Sequence, residues 1–181
     1  ARPRRPRCGG GRGCRGVATG MTMLTLVLGG ARSGKSAVAE RLVAESGDDV
    51  VYVATGVATD EEMAARIAAH KLRRPPTWDT VEASDLVFAV ATLPARPAIV
   101  DSLGTWVARA EDFDVDVVAL LTALQARTAP TVVVSEEVGL GVHPETEVGR
   151  AWRDALGDLN QAVASIADTV LLVVAGRTIR I

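Results

Sequence analysis

The sequence predicts an α/β fold, a three-layer sandwich built on a mostly parallel central sheet. Three observations carry that reading. Short apolar runs at 24–28, 50–54, 98–101, 131–135 and 169–174 alternate with stretches of helical character, the rhythm of strand–helix–strand units. The apolar content is 48% with only 3% aromatics, so the core is Val, Leu, Ala and Ile, which suits buried parallel strands better than an aromatic-rich β-sandwich. The first run leads directly into Gly-x-x-x-x-Gly-Lys-Ser and then a helix, the setting that a phosphate-binding loop requires.

A disordered Arg/Gly/Pro-rich leader is expected over residues 1–21, ahead of one catalytic domain over 22–181. The leader has almost nothing apolar to bury and so cannot offset its ordering entropy. It is either a basic arm or a non-functional stretch before Met21 or Met23. Its first 20 residues hold six Arg and no acid, which leaves the rest with 14 basic and 22 acidic groups, a net −8. A body this acidic is a poor general binder of nucleic acid. No apolar run approaches the roughly 18 residues of a membrane span. Both cysteines, Cys8 and Cys14, fall in the leader. The body therefore has neither a disulfide framework nor a thiolate metal site, and a cytoplasmic setting is expected.

Strand 24–28 opens the domain. In the loop after it, Gly29, Gly30 and Gly34 let successive N–H groups turn inward toward phosphate oxygens, with Ala31, Arg32 and Ser33 completing the cradle. A helix over about 35–46 adds its positive N-terminal end. Lys35 bridges the outer phosphates and the Ser36 hydroxyl takes one position on Mg²⁺. This order predicts a RecA-like P-loop NTPase fold that binds a nucleoside triphosphate. The second strand (50–54) ends at Thr55-Gly56, and ligands of open α/β sheets sit beyond strand carboxyl ends. Ala54, Thr55 and Gly56 are thereby placed near the P-loop.

Thr59-Asp60-Glu61-Glu62 reads as a capping box. The helix it opens runs to about Leu72 and stops before Pro75-Pro76. Met63, Ile67 and His70 share one face, and Arg66, His70 and Arg74 a flanking stripe. A short strand is expected at 80–82, then a helix capped by Ser84 and ending near Thr92. Strand 98–101 ends in Asp101. A helical region over about 104–129, broken near Phe113, precedes strand 131–135. A helix over about 146–167 leads to strand 169–174, with a final short strand at 178–181.

Several groups are candidates for chemistry. Asp101, closing an apolar strand, is placed as a Walker-B carboxylate for Mg²⁺, or else as a turn or cap residue. The cations Lys71, Arg73 and Arg74 disfavour an imidazolium at His70, which keeps its ring neutral and nucleophilic. Spacing alone nevertheless favours an exposed helical histidine there. His143 is read as structural. Glu136 and Glu137 are either ordinary loop residues or carboxylates that orient a substrate hydroxyl or a metal-bound water.

Taken together these residues resemble the bifunctional adenosylcobinamide kinase / adenosylcobinamide-phosphate guanylyltransferases of cobalamin biosynthesis. The matching text is GGARSGKS (29–36), YVAT (52–55), DEEMAARIAAHK followed by RP (60–75), Trp78 with VE (81–82) and EVGLGVHPE (137–145). The resemblance implies two reactions on one protein. Adenosylcobinamide is phosphorylated with ATP or GTP, and GMP then passes from GTP, through a histidine, to the cobinamide phosphate. It implies that His70 is the guanylylated nucleophile and that Ala54, Thr55, Gly56, Lys71, Leu72, Arg73, Arg74, Glu82 and Asp101 belong to the nucleotide site. It also implies a corrinoid substrate and a homo-oligomer. Two other readings stand beside it. One is a P-loop small-molecule kinase in which His70 is structural; the other is an interaction module driven by nucleotide hydrolysis.

Overall fold

The computed structural model describes residues 23–58 and 60–181. The expected leader, both cysteines and Thr59 lie outside the described residues, as do the side chains of Glu62, Met63 and Arg66. The capping box and part of both helix stripes are therefore not described.

The chain alternates as expected: β1 (Leu24–Gly29), α1 (Lys35–Ala44), β2 (Val51–Ala54), α2 (Glu61–Arg73), β3 (Asp79–Glu82), α3 (Leu86–Thr92), β4 (Ala98–Asp101), α4 (Leu103–Val107), α5 (Val117–Gln125), β5 (Thr131–Glu136), α6 (Glu147–Ile166), β6 (Thr169–Val174) and β7 (Arg177–Arg180). Among the described residues seven strands form one sheet in the order β3-β2-β4-β5-β1-β6-β7. All neighbours are parallel except β6 and β7. Strand β5 lies between the P-loop strand β1 and the Asp101-bearing strand β4, which is the RecA-like arrangement of a P-loop NTPase fold.

Period-two alternation divides each strand between two cores. Leu26, Val51, Val53, Ala98, Val100 and Val133 face a core shared with α3, α4, α5 and α6. Val27, Tyr52, Ile99, Val132 and Val134 face the opposite core, where Val38, Ala39 and Val43 of α1 pack with Trp78. Burial on both faces explains why the strands read as continuous apolar runs. None of the described side chains of α2 enters either core. Among the described residues no helix is long and apolar enough to cross a membrane.

Two boundaries differ from expectation. Asp85, not Ser84, caps α3, its carboxylate accepting from Phe88 N at 2.9 Å. The helical region after Asp101 is broken near Phe113 as expected, into α4 and α5 separated by a 3₁₀ turn at Glu111–Phe113. Asp112 and Phe113 take positive φ there, and Asp116 caps α5 at 2.8 Å from Ala119 N. Strand β7 starts at Arg177, because Ala175 and Gly176, both at positive φ, form a two-residue hairpin turn after β6.

Candidate active site

The P-loop connects β1 to α1. Gly34 sits at φ 94° and N-caps α1, and with no side chain it accepts no hydrogen bond from the first turn; apart from Lys35 N, which donates to Ser33 Oγ at 3.3 Å, the helix's leading N–H groups point toward where an anion would sit. Ser33 N donates to Gly30 O at 3.2 Å, which tightens the turn. A Cβ on Gly29 would overlap Ser33 Oγ and lie 2.9 Å from Val173 O; only glycine fits there. The far side is braced by the β6–β7 turn, with Gly176 N donating to Ser33 O at 2.8 Å. Lys35 Nζ stands 3.4 Å from Gly30 O and 3.4 Å from Glu136 Oε1. Ala31 and Arg32 are exposed at the loop's tip.

A second cluster forms one strand beyond β5. Asp101 pairs in register with Ala54, and Tyr52 with Ile99. Tyr52 and Asp101 are therefore diagonal neighbours on one face, and the phenol donates to Asp101 Oδ2 at 2.5 Å. Burial, and then the adjacent carboxylate, push the Tyr52 phenol far above its ordinary value, so it stays a donor. His70, in the last turns of α2, brings Nδ1 to 3.8 Å from Asp101 Oδ2. Partial burial, seconded by Arg73 and Arg74 and opposed by Asp101 and Glu40, holds its imidazole below the usual value. The ring is neutral at physiological pH. Arg74 lies over the Tyr52 ring, 3.2 Å from its centroid, and Arg73 pairs with Glu40 of α1 at 3.2 Å. The basic end of α2 is thus tied both to the P-loop helix and to the carboxyl edge of the sheet.

A third cluster joins Thr55 to Glu136 through hydroxyls. Thr55 Oγ1 donates to Ser102 O at 2.6 Å and lies 2.5 Å from Thr105 Oγ1. Ser102 Oγ lies 3.3 Å from Thr105 Oγ1 and donates to Glu136 at 3.0 and 3.1 Å. Arg109 Nη1 donates to Thr55 O at 2.9 Å and to Ala83 O at 3.2 Å, holding together the loops after β2 and β3.

The expected site residues separate into groups. Gly29 to Ser36, Ala54, Thr55, Asp101, His70, Arg73 and Arg74 come together around the carboxyl edge of the sheet. Glu82 and Lys71 pair at 3.0 Å, but their side chains are 74% and 49% exposed. Leu72 is 87% exposed and points away from the body. Ser36, opening α1, and Asp101, ending β4, supply hard oxygen donors of the kind Mg²⁺ accepts. Among the described residues no group of three His, Cys, Asp or Glu side chains forms a metal cage. One or two protein oxygens completed by phosphates and water is the usual Mg²⁺ pattern, so the donor set fits that ion. His143 is exposed and apart from these clusters, its Nδ1 lying 2.7 Å from Arg153 Nη1.

The chain that carries this P-loop, the half-buried histidine beside it and the separate carboxylate network matches known proteins along most of its length. A family model described as cobinamide kinase / cobinamide phosphate guanyltransferase matches residues 25–181. The chain belongs to this family. It is 42% identical over 163 residues to the bifunctional adenosylcobalamin biosynthesis protein CobP of Pseudomonas aeruginosa, covering 85% of this chain and 94% of that protein. It is 36% identical over 182 residues to the corresponding protein CobU of Escherichia coli, covering 88% of this chain and 99% of that one. Among solved structures, the flagellar accessory protein FlaH of Methanocaldococcus jannaschii aligns with a TM-score of 0.48 at 17% identity, over 87% of this chain and 75% of that chain. As a member of the cobinamide kinase / guanyltransferase family, the chain is a bifunctional enzyme of cobalamin biosynthesis.

For this enzyme the sequence reading missed Tyr52, Glu40, Ser102, Thr105 and Arg109 as neighbours of the site. Tyr52 carried a usable signal, because a tyrosine in a buried apolar strand needs a partner for its hydroxyl. The others carried none, since their roles depend on contacts between distant segments.

Proposed function

We propose that the enzyme phosphorylates the aminopropanol hydroxyl of adenosylcobinamide with ATP or GTP. It then carries GMP from GTP on His70 to adenosylcobinamide phosphate, giving adenosylcobinamide-GDP. The observation that carries this reading is the position of His70: a neutral imidazole, 3.8 Å from Asp101, on a helix end tied by Arg73 to the P-loop helix.

In the guanylyl step a ring nitrogen attacks the α-phosphorus of GTP, the bond to the bridging oxygen breaks, and pyrophosphate departs with the electron pair. With Nδ1 turned toward Asp101, Nε2 is the nitrogen left to attack. Arg73 and Arg74 stand where negative charge accumulates. The phosphoramidate is labile enough for a phosphate oxygen of the second substrate to displace it. The P-loop N–H groups, Lys35 and the N-terminal end of α1 hold the triphosphate in both half-reactions. Mg²⁺, held through Ser36 and the Asp101 carboxylate, supplies charge neutralisation at the phosphates. Ala54, Thr55, Gly56, Lys71, Leu72 and Glu82 complete the nucleotide site in this reading. A cytoplasmic homo-oligomer fits it as well: none of the described side chains of α2 enters either core, and the exposed Leu72 on that helix is available to a second copy.

Incubation with α-labelled GTP tests the proposal. Acid-labile, base-stable label on the protein, absent from His70→Ala, is the expected result. Cobinamide phosphorylation with no label on the unaltered chain would leave a plain small-molecule kinase. Nucleotide turnover that needs no corrinoid and responds to a protein partner would instead indicate an interaction module.

A further inference from the structure

The two half-reactions ask for different groups beside one triphosphate. Guanylyl transfer needs a nucleophile at the α-phosphorus, whereas phosphoryl transfer to an alcohol needs an acceptor for the hydroxyl proton near the γ-phosphorus. Several carboxylates near the P-loop are committed elsewhere. Asp101 takes the Tyr52 phenol and faces His70. Glu40 is paired with Arg73, and Glu82 with Lys71 on an exposed edge. Glu137 folds back on its own loop, accepting from Gly139 N at 2.8 Å and Leu140 N at 3.1 Å.

Glu136 differs. It ends β5, the strand beside β1, and pairs in register with Gly29, the first P-loop glycine. The next residue is bonded to the same glycine, Glu137 N donating to Gly29 O at 3.1 Å. Its side chain is 25% exposed, with Oε1 3.4 Å from Lys35 Nζ. Lys35 is the cation of the outer phosphates, so a carboxylate touching it sits beside the γ-phosphate rather than the α. The position is also fixed from several sides. Ser102 Oγ donates to both carboxylate oxygens, and Asn160 Nδ2 holds the backbone carbonyl at 2.9 Å. A Cβ on Gly104 would overlap Oε2 and lie 2.9 Å from Cδ, so the carboxylate occupies space that only a glycine in α4 leaves open.

Building on the bifunctional reading above, we propose that Glu136 is the general base of the kinase half-reaction and takes no part in guanylyl transfer. As the substrate hydroxyl oxygen attacks the γ-phosphorus, its proton passes to a Glu136 oxygen. The bond from the γ-phosphorus to the β,γ-bridging oxygen breaks, and the nucleoside diphosphate leaves with that electron pair. Glu136 then returns the proton to solvent. Ser102 and Gly104 are positioning residues for the carboxylate. One P-loop then serves two chemistries set on different strands, β5 with α4 for the kinase and β4 with α2 for guanylyl transfer.

The test compares two rates on the full chain with cobinamide: phosphorylation from γ-labelled ATP, and GMP incorporation into protein from α-labelled GTP. Removal of a general base costs about 10²–10⁴-fold. For Glu136→Gln the ratio of phosphorylation to GMP incorporation should therefore fall at least about 30-fold, through kcat rather than the KM for ATP. Gly104→Ala should lower the same ratio by about 10-fold or more by displacing the carboxylate. Alanine is favoured over glycine in a helix, but its Cβ would also stand 3.2 Å from the buried Leu156 Cδ2, so the melting temperature of this second variant is measured beside its rates. A ratio within about 3-fold of the unaltered chain in both variants would overturn the proposal. So would a parallel loss of both activities together with ATP affinity, since Glu136 would then only hold Lys35. An unaltered chain that phosphorylates cobinamide without taking up GMP would sink the bifunctional reading instead, and the loss of phosphorylation in Glu136→Gln would still decide the role of this carboxylate.

Discussion

Tyr52 and Asp101 stand diagonally across the β2–β4 pair, and the phenol donates to the carboxylate oxygen that faces His70. The tyrosine is 2% exposed and sits in the α1-side core, so a residue that fills the core also fixes the partner of the candidate nucleophile. Tyr52→Phe keeps the ring and its stacking with Arg74 but leaves the carboxylate short of a donor. The expected cost is about 1–3 kcal/mol of stability, with GMP incorporation down about 3- to 10-fold. Urea unfolding and the α-label assay measure the two effects separately.

Gly34 adopts φ 94°, and a Cβ there would stand 3.4 Å from Gly176 Cα. Gly34→Ala is expected to destabilise by about 1–2 kcal/mol because a side chain disfavours the left-handed region. Because the loop's N–H groups lose their aim, nucleotide affinity should fall by at least about tenfold. Calorimetric titration with a non-hydrolysable GTP analogue checks this; unchanged affinity would mean that the loop does not depend on this backbone conformation.

Arg73→Ala separates catalysis from folding. The pair with Glu40 is half-exposed on the arginine side, and exposed pairs contribute only about 0.2–1 kcal/mol. The melting temperature should therefore move by no more than about 1–4 °C. GMP incorporation should drop about tenfold, because Arg73 ties the His70 helix to α1. A large melting shift with intact labelling would reverse that assignment.

Arg127→Met gives the opposite pattern. The guanidinium donates to the carbonyls of Leu93, Pro94 and Arg96 and to Thr131 Oγ1. It clasps the segments at the amino ends of β4 and β5, far from the P-loop. Losing these charge-assisted bonds should cost about 2–3 kcal/mol, a melting shift of about 4–12 °C. Both transfer rates measured below the transition should be unchanged.

Much of this was legible in the sequence because it is local. The P-loop needs only eight consecutive residues, and apolar runs bounded by turns place the strands within a residue or two. The His70 environment was not legible, since it depends on α2 meeting Asp101, 31 residues on, and Glu40, 30 residues before. The sequence puts Met63, Ile67 and His70 on one face of that helix, but a shared face does not name the partner it docks against. The distinction between Glu136 and Glu137 was equally hidden. Two adjacent carboxylates look alike in sequence, and only the meeting of Ser102, Gly104 and Lys35 with the first, and of Gly139 N and Leu140 N with the second, tells them apart.

The hydrogen bond from Gly176 to Ser33 has a consequence for how the enzyme is made. A ribosome releases the phosphate loop early and its brace more than 140 residues later. A nascent chain can assemble β1, β5 and most of the sheet while the loop still lacks its back wall. The phosphate loop therefore gains its back wall only after the β6–β7 hairpin has been made and folds down.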